Sequence, residues 1–78
     1  MLPKHQIQNI RFENDFMFLT IDDQQLKINL SAISTKLGQA SQILKNDYTI
    51  SPSGYGIHWT QLNEDLSING ILKQAQRI

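Results

Sequence analysis

The residues of this chain that could do chemistry gather in one stretch, where His58 is followed by the adjacent acids Glu64 and Asp65. An imidazole beside carboxylates could act as a general base or bind a divalent metal ion. Metal sites usually need three or more convergent ligands, and His5 lies too close to the chain terminus to be a dependable additional ligand. In the alternative, His58 hydrogen-bonds a backbone group and shapes a turn. We favour this structural role and expect no catalytic residue, no metal and no cofactor.

The two acids also have a structural interpretation. Glu64 and Asp65 precede Ser67, which is typical of a helix N-cap and predicts that a helix begins directly afterwards. Carboxylates near a helix N-terminus gain roughly 0.3–1 kcal/mol from the helix dipole. We favour that role over chemistry. Serine catalysis is not indicated either, because no serine stands in a Gly-x-Ser-x-Gly turn.

Two glycines, Gly54 and Gly56, flank Tyr55 after a Pro52-Ser53 turn signal. Phosphate-binding loops of this kind need a third glycine and a helix directly afterwards, whereas residues 57–59 have the composition of a strand. The glycines therefore predict a tight turn and a close backbone approach to a neighbouring segment.

Tyr55 and Trp59 have two interpretations that the sequence leaves open. Beneath the helices they would be core anchors, and at the surface they would anchor a protein interface, where both residue types are enriched. We favour the core for Trp59. The residues predicted to bind a partner are those of this stretch: Tyr55, His58, Trp59, Glu64 and Asp65.

The elements that must position this stretch begin with three strands. Residues 6–12, 16–21 and 25–30 are rich in aromatic and β-branched residues or alternate apolar with polar side chains. Turn-forming residues separate them at 13–15 and 22–24. This pattern predicts an antiparallel meander with one solvated face.

The pattern then changes to helical spacing, with Ser31 or Ser34 able to cap the start and Ser41 able to cap a second helix after Gly38. The remaining predicted elements are helices over 33–38 and 42–46, strands over 48–51 and 55–59, and a C-terminal helix after Ser67. We therefore expect one α+β domain over residues 1–78. The side chains predicted to be largely buried are Met17, Leu19, Ile21, Leu26, Ile28, Leu30, Leu37, Leu44, Ile57, Ile71 and Leu72.

Composition limits the function classes. The 78 residues include no cysteine, which excludes disulfides and thiol chemistry and fits a reducing cytoplasm. Seven basic and seven acidic residues give a formal net charge of zero, and the basic ones are scattered, which argues against binding of nucleic acid by the free chain. The longest apolar run, residues 16–19, is too short to span a membrane, and no secretory leader is expected.

The segment from Gly54 to Leu72 resembles the domain of unknown function 2442, a family of small bacterial and archaeal proteins. Thr60 and Asn63 depart from the family pattern, as does the 22–24 turn, which lacks a glycine. The resemblance implies an α+β fold, a prokaryotic or phage origin and frequent genetic pairing with a second small protein, but no catalytic activity. The residues that match are Gly54, Tyr55, Gly56, Ile57, His58, Trp59, Leu62, Glu64, Asp65, Leu66, Ser67, Gly70 and Leu72.

These observations favour a small protein-interaction module, the antitoxin-like member of a two-gene pair, which binds and neutralises a cognate small protein. A homodimer is an open alternative for its assembly. Two other functions stay open: a nucleic-acid-binding regulator, and a small metal- or ligand-binding protein centred on His58.

Overall fold

The computed structural model describes residues 5–52 and 54–78, so the predicted turn position Ser53 lies outside the described residues, as do residues 1–4. The fold is α+β, as predicted, with two antiparallel sheets and short helices. The strands are β1 Ile7–Glu13, β2 Phe16–Ile21, β3 Gln24–Asn29, β4 Thr49–Ile50, β5 Gly56–Trp59, β6 Glu64–Ser67 and β7 Gln76–Arg77. The helices are α1 Leu30–Ile33, α2 Thr35–Gln39, α3 Gln42–Lys45 and α4 Ile68–Gln74.

The first sheet has the strand order β1-β2-β3-β7, and its first three strands are the predicted meander. The hairpin turns use residues that tolerate left-handed backbone: Asn14 has a φ of 55°, and Asp22 and Asp23 have φ values of 51° and 69°. Asn9, with a φ of 56°, stands where β1 holds one extra residue against β2. The fourth strand, β7, is an addition that the sequence pattern did not predict.

The helical middle of the chain contains three short helices rather than the predicted two. Ser34 adopts an extended conformation, which ends α1, and its Oγ accepts a hydrogen bond from the Leu37 backbone N–H at 3.2 Å. Ser34 is thus the N-cap of α2, one of the two predicted capping serines, and Asn29 caps the additional helix α1. Ser41 caps α3, as predicted. Leu30, predicted to end a strand, is instead the first residue of α1.

The second sheet has the strand order β4-β5-β6 and extends the predicted hairpin by one strand. Glu64 and Asp65 precede the Ser67 N-cap of α4, as predicted, but they belong to β6, a strand that the sequence pattern did not predict. A four-residue turn connects β5 to β6, with the Asn63 backbone N–H donating to the Thr60 carbonyl at 3.2 Å and Asn63 at a φ of 50°. Asparagine tolerates this left-handed conformation well, so the residue found here suits the turn.

The C-terminal helix begins where the sequence predicts. The Ser67 Oγ accepts a hydrogen bond from the Gly70 backbone N–H at 3.0 Å. After α4 the chain returns to the first sheet, where β7 pairs with β3. Among the described helices, none has both the length and the apolar character needed to cross a membrane.

One hydrophobic cluster joins the inner faces of both sheets to α1, α2 and α4. Nine of the predicted core residues are buried, but Leu44 is half-buried and Leu72 is 40% exposed. Leu44 lies in α3, which a break separates from α2, so helical spacing counted across that break does not place it in the core. In the unbroken α4 the buried face is formed by Ile68 and Ile71, and Leu72 lies at the margin of that face. The buried apolar residues are Phe12, Met17, Leu19, Ile21, Leu26, Ile28, Leu30, Leu37, Ile57, Trp59, Leu66, Ile68 and Ile71.

Candidate functional site

His58 and Asp65 lie directly opposite each other on β5 and β6, and the His58 Nδ1 is hydrogen-bonded to the Asp65 Oδ1. An ionised carboxylate can only accept, so Nδ1–H is the donor and Nε2 is the remaining polar atom of the ring. Both side chains reach solvent, with exposed fractions of 41% and 75%. An exposed pair contributes little to stability, about 0–1 kcal/mol, so its value lies in the polar surface that it presents.

Glu64 does not join this pair, because successive residues of a strand point to opposite faces. Its carboxylate accepts a hydrogen bond from the Ser34 Oγ at 2.6 Å, and so ties β6 to the cap of α2. The acid–base cluster suggested by the sequence is therefore divided between two faces. Within residues 5–52 and 54–78, no three or more His, Cys, Asp or Glu side chains are grouped so that they could hold a metal ion.

Trp59 is fully buried, with an exposed fraction of 0%, which confirms the core interpretation favoured above. Its indole Nε1–H donates to the Lys45 carbonyl at 2.8 Å. The Tyr48 ring lies 6.1 Å from Trp59 and 6.2 Å from Phe12, so a series of aromatic rings connects the two sheets. In the folded chain Trp59 offers no surface to a partner, and any influence it has on binding must pass through the hairpin it supports.

Tyr55, predicted to begin the strand over 55–59, precedes β5, and its side chain is 44% exposed rather than part of the core. Its backbone is held on both sides: its N–H donates to the Ser51 Oγ at 2.8 Å and its carbonyl accepts from the Ile68 N–H at 2.7 Å. These bonds fix the backbone that presents the ring.

The outer face of the second sheet contains a groove of about 280 Å³. Most of the surface along the groove is formed by apolar atoms, and the paired His58 and Asp65 side chains are among its polar groups. The residues along it include Thr49, Ser51, Tyr55, His58, Asp65 and Ser67. The groove thus gathers Tyr55, His58 and Asp65 of the predicted partner-binding set and leaves out Trp59 and Glu64.

The two glycines of this stretch allow the close approaches that the sequence predicts. Gly54 has a φ of +68°, and a Cβ built there would stand 2.1 Å from the His5 carbonyl oxygen. A Cβ on Gly56 would stand 2.7 Å from the Leu66 carbonyl oxygen. Any other residue at either position would therefore push the hairpin away from its neighbours.

One polar pair was missed by the sequence reasoning. The His5 Nδ1 lies 2.6 Å from the Asp22 Oδ2, and the Gln6 backbone N–H donates to the Asp22 Oδ1 at 2.9 Å. The Gln6 hydrogen bond, followed by the His5 contact, lowers the pKa of Asp22 below its ordinary value of 3.8. No local signal marks a contact across 17 positions, and His5 had been set aside because of its place near the terminus.

Comparison with known proteins gives one match. The model of the family described as "Protein of unknown function (DUF2442)" matches residues 7–77. Neither a curated protein nor a solved structure matches this chain.

Proposed function

Since the chain belongs to the DUF2442 family, described as of unknown function, we propose its role from the site: a small protein-interaction module. It is the antitoxin-like member of a two-gene pair and neutralises a partner protein by covering the partner's active surface. The observation that supports this proposal is the groove on the outer face of β4, β5 and β6, with the exposed Tyr55 ring beside it.

The groove has the composition of a binding surface. The centre of a protein interface is typically apolar and its rim polar, and exposed tyrosines are common anchors. Here Tyr55 is the large anchor, and the His58–Asp65 pair supplies a charged rim. Because hydrogen bonds to Ser51 and Ile68 hold the backbone of Tyr55, little conformational freedom of the backbone is lost when a partner binds.

The strand at the side of the groove offers a second means of recognition. β4 is an edge strand of the β4-β5-β6 sheet, and both of its residues are exposed. An extended segment of the partner can pair with such an edge while its side chains enter the adjoining groove. Pro52, two residues after β4, cannot donate a backbone hydrogen bond and so limits the length of that pairing.

Co-expression with the neighbouring small open reading frame tests the proposal, followed by affinity measurement on the co-purified complex. Tyr55→Ala should weaken binding by about 2 kcal/mol, which is roughly thirtyfold. His58→Gln should keep the fold and weaken binding less, because glutamine preserves a donor and an acceptor. Lys36→Ala on the exposed surface of α2 is the matched control and should bind as the unaltered chain does.

Growth of a bacterial host provides the functional readout. Expression of the neighbouring gene product alone should arrest growth, and co-expression of this chain should restore it, less effectively for Tyr55→Ala. Failure to recover a complex with the neighbour would remove the proposal. A complex that Tyr55→Ala and His58→Gln leave unchanged would show that the partner docks elsewhere.

A further inference from the structure

The outer face of the first sheet carries two aromatic rings where a solvated sheet face normally carries polar side chains. Phe16 and Phe18 alternate along β2 with the buried Met17 and Leu19, so both rings lie on the side away from the core. β2 is flanked by β1 and β3, which keeps the rings away from the sheet edges. The two ring centroids are 6.4 Å apart.

Two cations lie against these rings. Strand register places Arg11, Phe18 and Lys27 in one row across β1, β2 and β3. The Arg11 guanidinium carbon is 4.3 Å from the centroid of the Phe18 ring, and the Lys27 Nζ is 4.8 Å from that of Phe16. Basic residues that are scattered in the sequence are thus brought together on an aromatic face by the sheet.

A hollow of about 280 Å³ adjoins Phe18 on this face. Asn9, at the irregularity of β1, and Gln25 contribute amide groups, which both donate and accept hydrogen bonds. Thr20 adds a hydroxyl, and Ile78, which is 69% exposed, adds an apolar wall. An aromatic ring, a guanidinium and several neutral polar groups therefore surround one small hollow.

We infer that this face binds single-stranded RNA, with bases stacked on Phe16 and Phe18 and phosphates paired with Arg11 and Lys27. Unpaired bases stack on aromatic side chains whatever their sequence, and cations beside the rings follow the phosphate backbone. As a base takes its place over a ring, the cation that covered the ring turns to a phosphate. The polar hollow beside Phe18 suits the ribose 2′-hydroxyl, the group that distinguishes RNA from DNA.

The zero net charge of the chain is more compatible with single-stranded RNA as the ligand than with a nucleic-acid duplex. Glu13 pairs with Arg11 at 2.9 Å on the same face, and the formal net charge is zero, so phosphate neutralisation alone cannot supply strong binding. Stacking must then supply most of the affinity, and only an unpaired strand offers base faces for it. With two phosphate contacts, the logarithm of the binding constant should fall against the logarithm of salt concentration with a slope of about −1.4.

Fluorescence anisotropy with labelled oligouridine at low salt tests the inference. The unaltered chain should bind it, and Phe16→Leu combined with Phe18→Leu should weaken binding about tenfold or more. Leucine keeps an apolar side chain at each position, and circular dichroism checks that the double variant is folded. Ile43→Ala removes an apolar side chain that is 82% exposed on α3, away from both proposed surfaces, so it is the control and should bind normally. Arg11→Gln should reduce the salt slope by about 0.7.

Four results would overturn the inference. The first is no binding of oligouridine by the unaltered chain, and the second is an equal affinity for oligothymidine or for an RNA duplex. The third is an equal loss of binding in Ile43→Ala. The fourth is the finding that the unaltered chain is a dimer and the double phenylalanine variant is a monomer, because the aromatic face would then be a protein interface. The partner-binding groove lies on the other sheet, so the two proposals fail independently.

Discussion

Replacing Trp59 with alanine should remove a large part of the free energy that keeps the domain folded. A buried tryptophan withdraws about 150–250 Å² from water, which at about 25 cal/mol per Å² corresponds to about 4–6 kcal/mol. Substitutions of this kind cost about 3–5 kcal/mol in practice. Trp59 is completely buried, and its hydrogen bond to the Lys45 carbonyl adds about 1 kcal/mol. For a chain of 78 residues, the whole free energy of unfolding is about 4–12 kcal/mol.

Urea unfolding and thermal melts of the isolated protein, followed by far-ultraviolet circular dichroism, measure this effect. Trp59→Phe separates packing from the hydrogen bond: it keeps most of the apolar surface, and we expect a loss of about 1–2 kcal/mol from the missing N–H donor. Tyr55→Ala, on the same hairpin but exposed, is the matched control and should cost less than about 1 kcal/mol. Trp59 is the single tryptophan, so its fluorescence reports unfolding of the unaltered chain at this site.

A Trp59→Ala variant that melts within a few degrees of the unaltered protein would refute the packing argument. If that variant were folded but failed to bind the partner, Trp59 would act by shaping the partner-binding hairpin rather than by stabilising the fold. If it were folded and bound normally, neither interpretation would stand.

Three further predictions concern Leu30, at the start of α1, and the turn between β2 and β3. Leu30→Ala should cost about 2–5 kcal/mol in urea unfolding, because the side chain is fully buried, and a melt close to that of the unaltered chain would contradict this. Asp23→Gly should raise the free energy of unfolding by about 0.5–1 kcal/mol, because glycine adopts the φ of 69° without strain. Asp22→Gly should not raise it, because that variant also loses the contacts with His5 and Gln6. The pKa of Asp22 is lowered in the folded chain, so the ionised carboxylate stabilises the fold fully above pH 3.8, and this contribution is lost as the pH falls below that value. In thermal melts from about pH 6 to pH 2, the melting temperature of Asp22→Asn should therefore fall less than that of the unaltered chain.

The glycines and serines of the candidate site could be interpreted from sequence because their roles are largely local. Gly54 signals a turn through its own backbone freedom, and Ser41 and Ser67 cap helices that begin at the next residue. The alternation that predicts β2 and the turn residues that end it are local in the same sense. What these residues approach, such as the His5 carbonyl beside Gly54, depends on contacts between segments that are far apart in the sequence.

The partners within the site were decided by tertiary structure. Nothing local distinguishes Glu64 and Asp65 at a helix start from the same residues in a strand, and pairing with β5 selects the strand. That pairing places Asp65 against His58 and directs Glu64 to Ser34, which lies 30 positions away. The sheet register likewise brings Arg11 and Lys27 to one face.

Sequence by itself therefore determined the family, the α+β class, most of the core and the helix caps, because hydrophobic alternation, turn residues and capping side chains act within a few positions of each other. Only the tertiary structure decided the identity of β6, the addition of β7 and the division of the acid–base cluster between two faces. The physical reason is that a strand of two to four residues has no stability of its own and forms only where a neighbouring strand supplies its hydrogen bonds.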